Sequence, residues 1–382
     1  MNDLKKIEPY RVLFPIGLVF GCLGVYVWVA YALFEGSSYP VQLHSHLMMG
    51  SFLFSFVAGF LMTAVPKMTA SFPAKPYEIF LAFMLILGIS FFAQWGRSEY
   101  FYFMSGFSIG CLVLFFIRRF LSRTKNPPAF FPFVVLGLLC GLTGCILLAV
   151  NCSSDFTSPI VLFGKKIYFE GMILLLVLGV GSRLIPVISG RAVIPETSEV
   201  QVALKNFALG SILISAYALE SNQHNLLGGI LKSIVATWVA VFNWGIFESA
   251  QSKSRLALGM RVSGLMVLLG IYMSVLQPAF AIHWMHLTFI AGFGLMTLTV
   301  ASRVTLAHGS YDLSFEARSK SLWISGALIL TAAATRVAAP YISSGYVRHL
   351  AYAGVVWILA LAVWGVVFVK RMIWKGSDQP SC

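Results

Sequence analysis

Apolar residues run through this chain in long blocks, separated by short polar stretches that hold most of its charge. The blocks fall near residues 12–34, 44–65, 77–95, 100–121, 129–150, 167–188, 200–219, 226–247, 256–280, 284–306, 321–341 and 348–373. Each approaches or exceeds the roughly 20 residues that a helix needs to cross the hydrocarbon of a bilayer. Lipid offers the backbone no hydrogen-bonding partner, and the blocks are too long for barrel strands, so only helices satisfy them. The pattern predicts an all-α, polytopic transmembrane helical bundle of about twelve helices. Residues 1–382 would form a single integral membrane domain, with no soluble domain and no evident internal repeat.

Composition agrees: 58% of residues are hydrophobic and 11% charged, against roughly 45–50% and about 25% in soluble domains. The formal net charge of +13 would suit a nucleic-acid ligand if it were gathered on one surface. It is not. With the N-terminus inside, every lysine and arginine except Arg97, Lys165, Lys166, Lys232, Arg336 and Arg348 falls on the cytoplasmic side. That is the positive-inside pattern; it predicts cytoplasmic N- and C-termini, with membrane lipid and no nucleic acid as partner. The first apolar block is too long for a signal h-region and has no cleavage site, so it counts as helix 1. The six cysteines form no CxxC and no CxxCH, which excludes a thiol redox motif and covalent haem attachment. No phosphate-binding or dinucleotide Gly motif is present.

This topology sorts the histidines by depth. His44 and His46 open helix 2, and His283 and His286 open helix 10, all at the extracytoplasmic ends. Ionisable groups inside a membrane are functional by default, and neutral imidazole is a common ligand of metals and haem iron. His283 and His286, three apart, share one helix face. His44 and His46, two apart, point about 200° apart in a regular helix. Either the chain is irregular after Pro40, or the two rings serve different centres. One arrangement is a haem between helices 2 and 10, which leaves the other two rings for a second haem or copper. Met48, Met49 and Met285 could offer thioethers to Cu(I), or simply fill the core. Single histidines at helix mouths, His224 and His349, read as interfacial. His308 lies 22 residues after His286, about 33 Å along a helix, too far to share its site. Arg336, near the outer end of helix 11, could bond haem propionates or snorkel to lipid phosphate. Glu170 could pair with Lys165 or Lys166, or belong to a proton path.

"HSHLMMGSFLFSFVAGFLMTAVPKMT" (44–69), "RLIPVISGR" (183–191), "HLTFIAGFGLMTLTVASRVTLAH" (286–308) and "TRVAAP" (335–340) resemble the NnrS family over nearly the whole chain. Members are haem- and copper-containing membrane proteins associated with nitric oxide metabolism. The matching positions are His44, His46, Arg183, Pro186, Arg191, His286, Arg303, His308 and Arg336. Leu47 stands where the family commonly has an acid, and His283 is an addition. The resemblance implies a multi-pass protein of the bacterial inner (cytoplasmic) membrane. It also implies haem b held by His44, His46 and His286 with Arg336, copper drawing on the same rings and His283, and a role in nitrosative-stress protection. Heme-copper oxidases are similar in having twelve helices and low-spin haem histidines on helices 2 and 10, although this chain lacks histidines in its helices 6 and 7. No catalytic motif accompanies these residues, so the expectation is binding or disposal of nitric oxide, with no electron-donor partner named.

Two other classes compete with this reading. Twelve helices with cytoplasmic termini also suit a secondary transporter of a small molecule, yet "PKMTASFPAKPYE" lacks the Asp-Arg-Gly motif common in the major facilitators. A di-haem cytochrome b would need histidines 13 or 14 further along each helix. Phe60 and Val300 stand there instead.

Overall fold

Among the described residues of a computed structural model of the chain, twelve helices are long and apolar enough to span a membrane. They are α1 Pro9–Leu33, α2 Val41–Met68, α3 Pro76–Gln94, α4 Ser98–Leu121, α5 Phe131–Val150 and α6 Pro159–Ile188, followed by α7 Glu199–Ser221, α8 Asn225–Asn243, α9 Arg255–Leu276, α10 Pro278–His308, α11 Lys320–Tyr341 and α12 Tyr346–Ile373. The structure describes residues 7–34, 38–152, 154–155, 157–191, 199–249, 251–252 and 254–374, and none of these forms a strand. Lys5, Lys6, Lys253 and Lys375, part of the charge pattern above, lie outside them. Each apolar block became one helix. The largest shift is at α6, which starts eight residues earlier than the hydropathy suggests. There Pro159 occupies the first helical position and Ser158 Oγ accepts from the Val161 N–H, a start signal independent of hydropathy.

The chain divides into two compact units, each discontinuous in sequence. Unit 1 is Met1–Arg97, Cys111–Asn126 and Gly294–Cys382; unit 2 is Ser98–Gly110 and Pro127–Phe293. In unit 1, α12 lies along α1, with Trp357 Nε1 donating to the Gly21 carbonyl at 3.1 Å. Deeper along α12, Trp364 Nε1 donates to Ser302 Oγ at 2.8 Å, and Phe14 stacks on Phe56 with ring centroids 4.9 Å apart. In unit 2, Trp244 is fully buried over Gly181 and donates to the Leu178 carbonyl. Asn243 Nδ2 donates to Asn206 Oδ1 at 3.1 Å, and Asn206 Nδ2 to the Ala129 carbonyl at 2.9 Å. Each of these indole and amide donors has a partner, as an apolar solvent demands.

Four spans contain a π-helical stretch. Leu47–Leu53 in α2, Ile167–Gly171 in α6, Val239–Asn243 in α8 and Thr288–Gly294 in α10 are π-helical. In α2, for example, the Phe54 N–H reaches back to the Met49 carbonyl, five residues behind. Such wide turns are rare and gather at functional sites.

Three of these broken spans recur at a fixed interval, which corrects the expectation of no repeat. α2, α6 and α10, the most enclosed spans, end at Met68, Ile188 and His308, each 120 residues after the last. Each is followed by a residue with positive φ, at Ala70 (48°), Gly190 (76°) and Ser310 (59°). The next N–H then bonds back to the carbonyl five residues behind: Ser71 to Pro66, Arg191 to Pro186 and Tyr311 to Leu306. This is one left-handed helix stop made three times. The Thr69 carbonyl accepts the N–H groups of Thr124 and Lys125, and Ser189, one repeat later, accepts those of Gln251 and Ser252. In the same register His46, Lys166 and His286 are equivalent positions, each one or two residues before the start of a π-helical stretch.

Candidate functional site

In unit 1, α2 is regularly α-helical over Val41–His46 behind Pro40, so the irregularity lies after the histidines and not at Pro40. His44 and His46 therefore diverge by about 200°. His44 turns to α1, where its Nδ1 lies 2.7 Å from the Gly24 carbonyl and its ring stands edge-on to Trp28 at 5.9 Å. A carbonyl only accepts, so Nδ1 carries the proton and, in the neutral ring, Nε2 carries the lone pair. His46 is 2% exposed. Tyr39 packs edge-on against Trp28 and Tyr31. Burial, then the neighbouring Tyr346, push the Tyr39 phenol above its ordinary value, with Arg336 acting against them. Arg336 of α11 lies within electrostatic reach of His44, Tyr39 and Tyr346. The structure thus gathers His44 and Arg336, from distant parts of the sequence, around an aromatic corner.

In unit 2, His283 and His286 occupy the α-helical stretch Ala281–Leu287, which follows the 3-10 turn Pro278–Phe280 at the start of α10. His286 Nδ1 lies 2.6 Å from the Ile282 carbonyl one turn back, and its ring meets Phe289 edge-on at 5.8 Å. It has the same tautomer as His44, by the same argument. His283 lies against the Phe280 ring. Among the described residues, no three or more His, Cys, Asp or Glu gather as a ready metal cluster.

The other singled-out residues take structural positions. His224 is exposed, directly ahead of α8, and His349 stands edge-on to Tyr352 in the first turn of α12. His308 Nδ1 lies 2.7 Å from Lys67 Nζ and 3.2 Å from Glu8 Oε2, and Lys67 also donates to Glu8 Oε1 at 2.9 Å. Burial disfavours the Glu8 charge. His308 and then Lys67 outweigh it and hold that carboxyl below its ordinary value. Arg191 clamps the turn after α8, donating to the carbonyls of Trp244 and Gly245 and to Glu248 Oε2. Arg303 pairs with Glu316. Arg183 is exposed. Arg119, counted from sequence among the cytoplasmic basic residues, is fully buried: it grips Glu78 with both terminal nitrogens at 2.7 and 2.5 Å between the rings of Phe72 and Phe115.

For Glu170, sequence reasoning found the acid but not its partners. Glu170 pairs with neither Lys165 nor Lys166. Its Oε1 accepts from Lys232 Nζ of α8 at 2.8 Å and from the Tyr217 hydroxyl of α7 at 3.1 Å. Lys166 instead donates to Glu220 Oε2 at 2.6 Å, and Lys232 reaches Glu220 Oε1 at 3.1 Å. The π turn at Ile167–Gly171 explains the exchange, since it disturbs the common face that residues four apart share in an α-helix. Lysine within "NLLGGILKSIVATW" was the available signal, because a charge inside an apolar span needs a partner.

A family model described as "NnrS protein" matches residues 7–375. No curated protein matches the chain.

Proposed function

The chain belongs to the NnrS family, and from that premise we propose that it is a haem-binding membrane protein that binds or disposes of nitric oxide in nitrosative-stress protection. The observation that carries this reading is the recurrence of a titratable ring at His46 and again at His286. The two are equivalent positions of the repeat, each one or two residues ahead of a π turn. The donor chemistry fits such a group: backbone carbonyls fix Nδ1–H on His44 and His286, which orients each ring and leaves Nε2 as the basic nitrogen. Within unit 1 the candidate ligands are His44 and His46, with Arg336 toward propionate carboxylates; unit 2, taken by itself, offers His286, with His283 one turn before it. Haem b is the fitting form because the chain has no CxxCH. When bound, it supplies an iron to which nitric oxide binds. The chain's own residues would hold and orient that iron, with the buried Trp28 ring packed against His44. Met48 and Met49 on α2 keep copper as a second metal to assay. On this reading the protein lies in a bacterial inner membrane with these histidines at the extracytoplasmic ends of their helices, a sidedness that the positive-inside pattern supports.

The test is a reduced-minus-oxidised spectrum of the purified protein, expressed with ample haem, alongside iron and copper analysis. We expect a Soret band that is lost or becomes high-spin in His286→Ala and His46→Ala and is unchanged in His224→Ala. Arg336→Ala should retain haem less tightly. Absence of any haem signal in the wild type rejects the reading, and a wild-type spectrum for His286→Ala removes α10 as a source of ligands.

A further inference from the structure

The five side chains that meet in unit 2 do more than join helices. Lys166 and Glu170 come from α6, Tyr217 and Glu220 from α7, and Lys232 from α8. Only Lys166 is open to water: its side chain is 31% exposed, against 7% for Glu220, 5% for Lys232 and 11% for Glu170, while Tyr217 is fully buried. Burying four charges costs more than their mutual attraction commonly returns, and apolar side chains of similar volume would hold three helices at least as well. A clamp also needs only one acid and one base. Here every contact is shared, because Lys232 sits between two carboxylates and Glu220 between two ammonium groups.

We propose that this network is a proton-exchange site, taking a proton from water at Lys166 and storing it on Glu170. In a dry environment a Lys–Glu contact can be ionic or neutral at similar cost, since the neutral form escapes the charge-burial penalty. Lys166 gives a proton to the Glu220 carboxylate and recovers one from water. Lys232 then gives a proton to the Glu170 carboxylate and is refilled from Glu220. One proton leaves water, one carboxylate becomes an acid, and no electrons move. Tyr217 donates to Glu170 Oε1, and its ring lies 5.3 Å from Lys232 Nζ, so it holds both ends of the last transfer in place.

Two independent features support this assignment. Lys166 occupies the repeat position at which the other two repeats carry His46 and His286, so all three place a proton-binding nitrogen at this step. The packing also leaves little room for water beside the path: a Cβ at Gly228 would collide with the Glu220 side chain and the Ala216 carbonyl, and one at Gly171 would press on the Tyr217 ring. The elements around the network bring little other charge. Lys165 is the next residue on α6, Cys140 of α5 is an electrostatic neighbour of Tyr217, and α9 meets α8 at Gly229 through apolar Val275.

The test uses the full chain in lipid nanodiscs, with or without haem, so its outcome is separate from the cofactor reading. Infrared difference spectra are recorded across a pH series on wild type and on protein carrying ¹³C-labelled glutamate. We expect a protonated-carboxyl band at the high-frequency position of a dry acid, shifted by the label and lost in Glu170→Gln. Lys166→Met should keep the band but slow its appearance severalfold after a pH jump, and Lys232→Met should abolish it. Should Glu170→Gln fail to fold, Glu170→Asp replaces it, and the band should then move off the label-sensitive position. A wild type with no dry carboxyl signal at any pH at which it stays folded overturns the proposal, as does a band that survives unchanged in both Glu170→Gln and Glu220→Gln. Either result would leave the network a plain ionic clamp.

Discussion

Single residues decide how the spans stop. At the three equivalent helix ends the left-handed position is filled by Ala70, Gly190 and Ser310, and only glycine adopts that conformation without steric cost. Ala70→Gly should therefore stabilise the protein and Gly190→Ala destabilise it, each by about 1 kcal/mol, read as opposite shifts in thermal unfolding in detergent. Glu8 makes a pH-dependent contribution. Its folded-state carboxyl titrates below its ordinary value, so its stabilisation is present above that ordinary value and disappears as pH falls through the lowered one. Glu8→Gln should accordingly lower the melting temperature at neutral pH and leave it level with wild type once wild-type Glu8 is itself protonated. A pH series of melts on both proteins checks this.

At the scale of elements, the buried pair Arg119–Glu78 fastens the start of α3 to the end of α4, and the Phe72 and Phe115 rings keep it dry. Removing one member leaves an unpaired buried charge, so Arg119→Leu should cost about 3–5 kcal/mol, and adding Glu78→Leu should recover much of that loss. Comparison of the single and double variants by thermal unfolding measures it. Hydropathy made the spans legible because lipid leaves a helix no alternative, and it made His44, His46, His283 and His286 stand out because a titratable ring is conspicuous in such a run. The π turns were not legible, since bonding to the fifth residue leaves no compositional mark. The early start of α6 was hidden for a related reason: "PIVLFGKK" ends in two lysines that hydropathy treats as a boundary. The repeat was hidden because its three copies share turn geometry more than residue identity, as Ala70, Gly190 and Ser310 illustrate.

For the whole molecule, the charge distribution makes a claim about sidedness that can be checked without any cofactor. Cysteine introduced at His224, which is exposed ahead of α8, should react with an impermeant maleimide from the extracytoplasmic side. Cysteine at Lys125, after α4, should react only from the cytoplasm. The opposite result would move the histidines to the other membrane face. The proton-exchange site and the histidines are separate in sequence and in test, yet the repeat relates them, since His46, Lys166 and His286 are the same step of three similar helices.

The division of the chain also bears on how it is made. Unit 1 is drawn from both ends of the sequence, while unit 2 lies almost wholly between them. During synthesis, unit 2 can pack while α1 still lacks the helix that covers it, because the Gly21 carbonyl finds Trp357 only when α12 has been inserted. Order of insertion and order of folding therefore differ. The helix made first waits for the helix made last, and a chain cut short before α12 keeps an open seam along α1 that a membrane protease or chaperone could recognise.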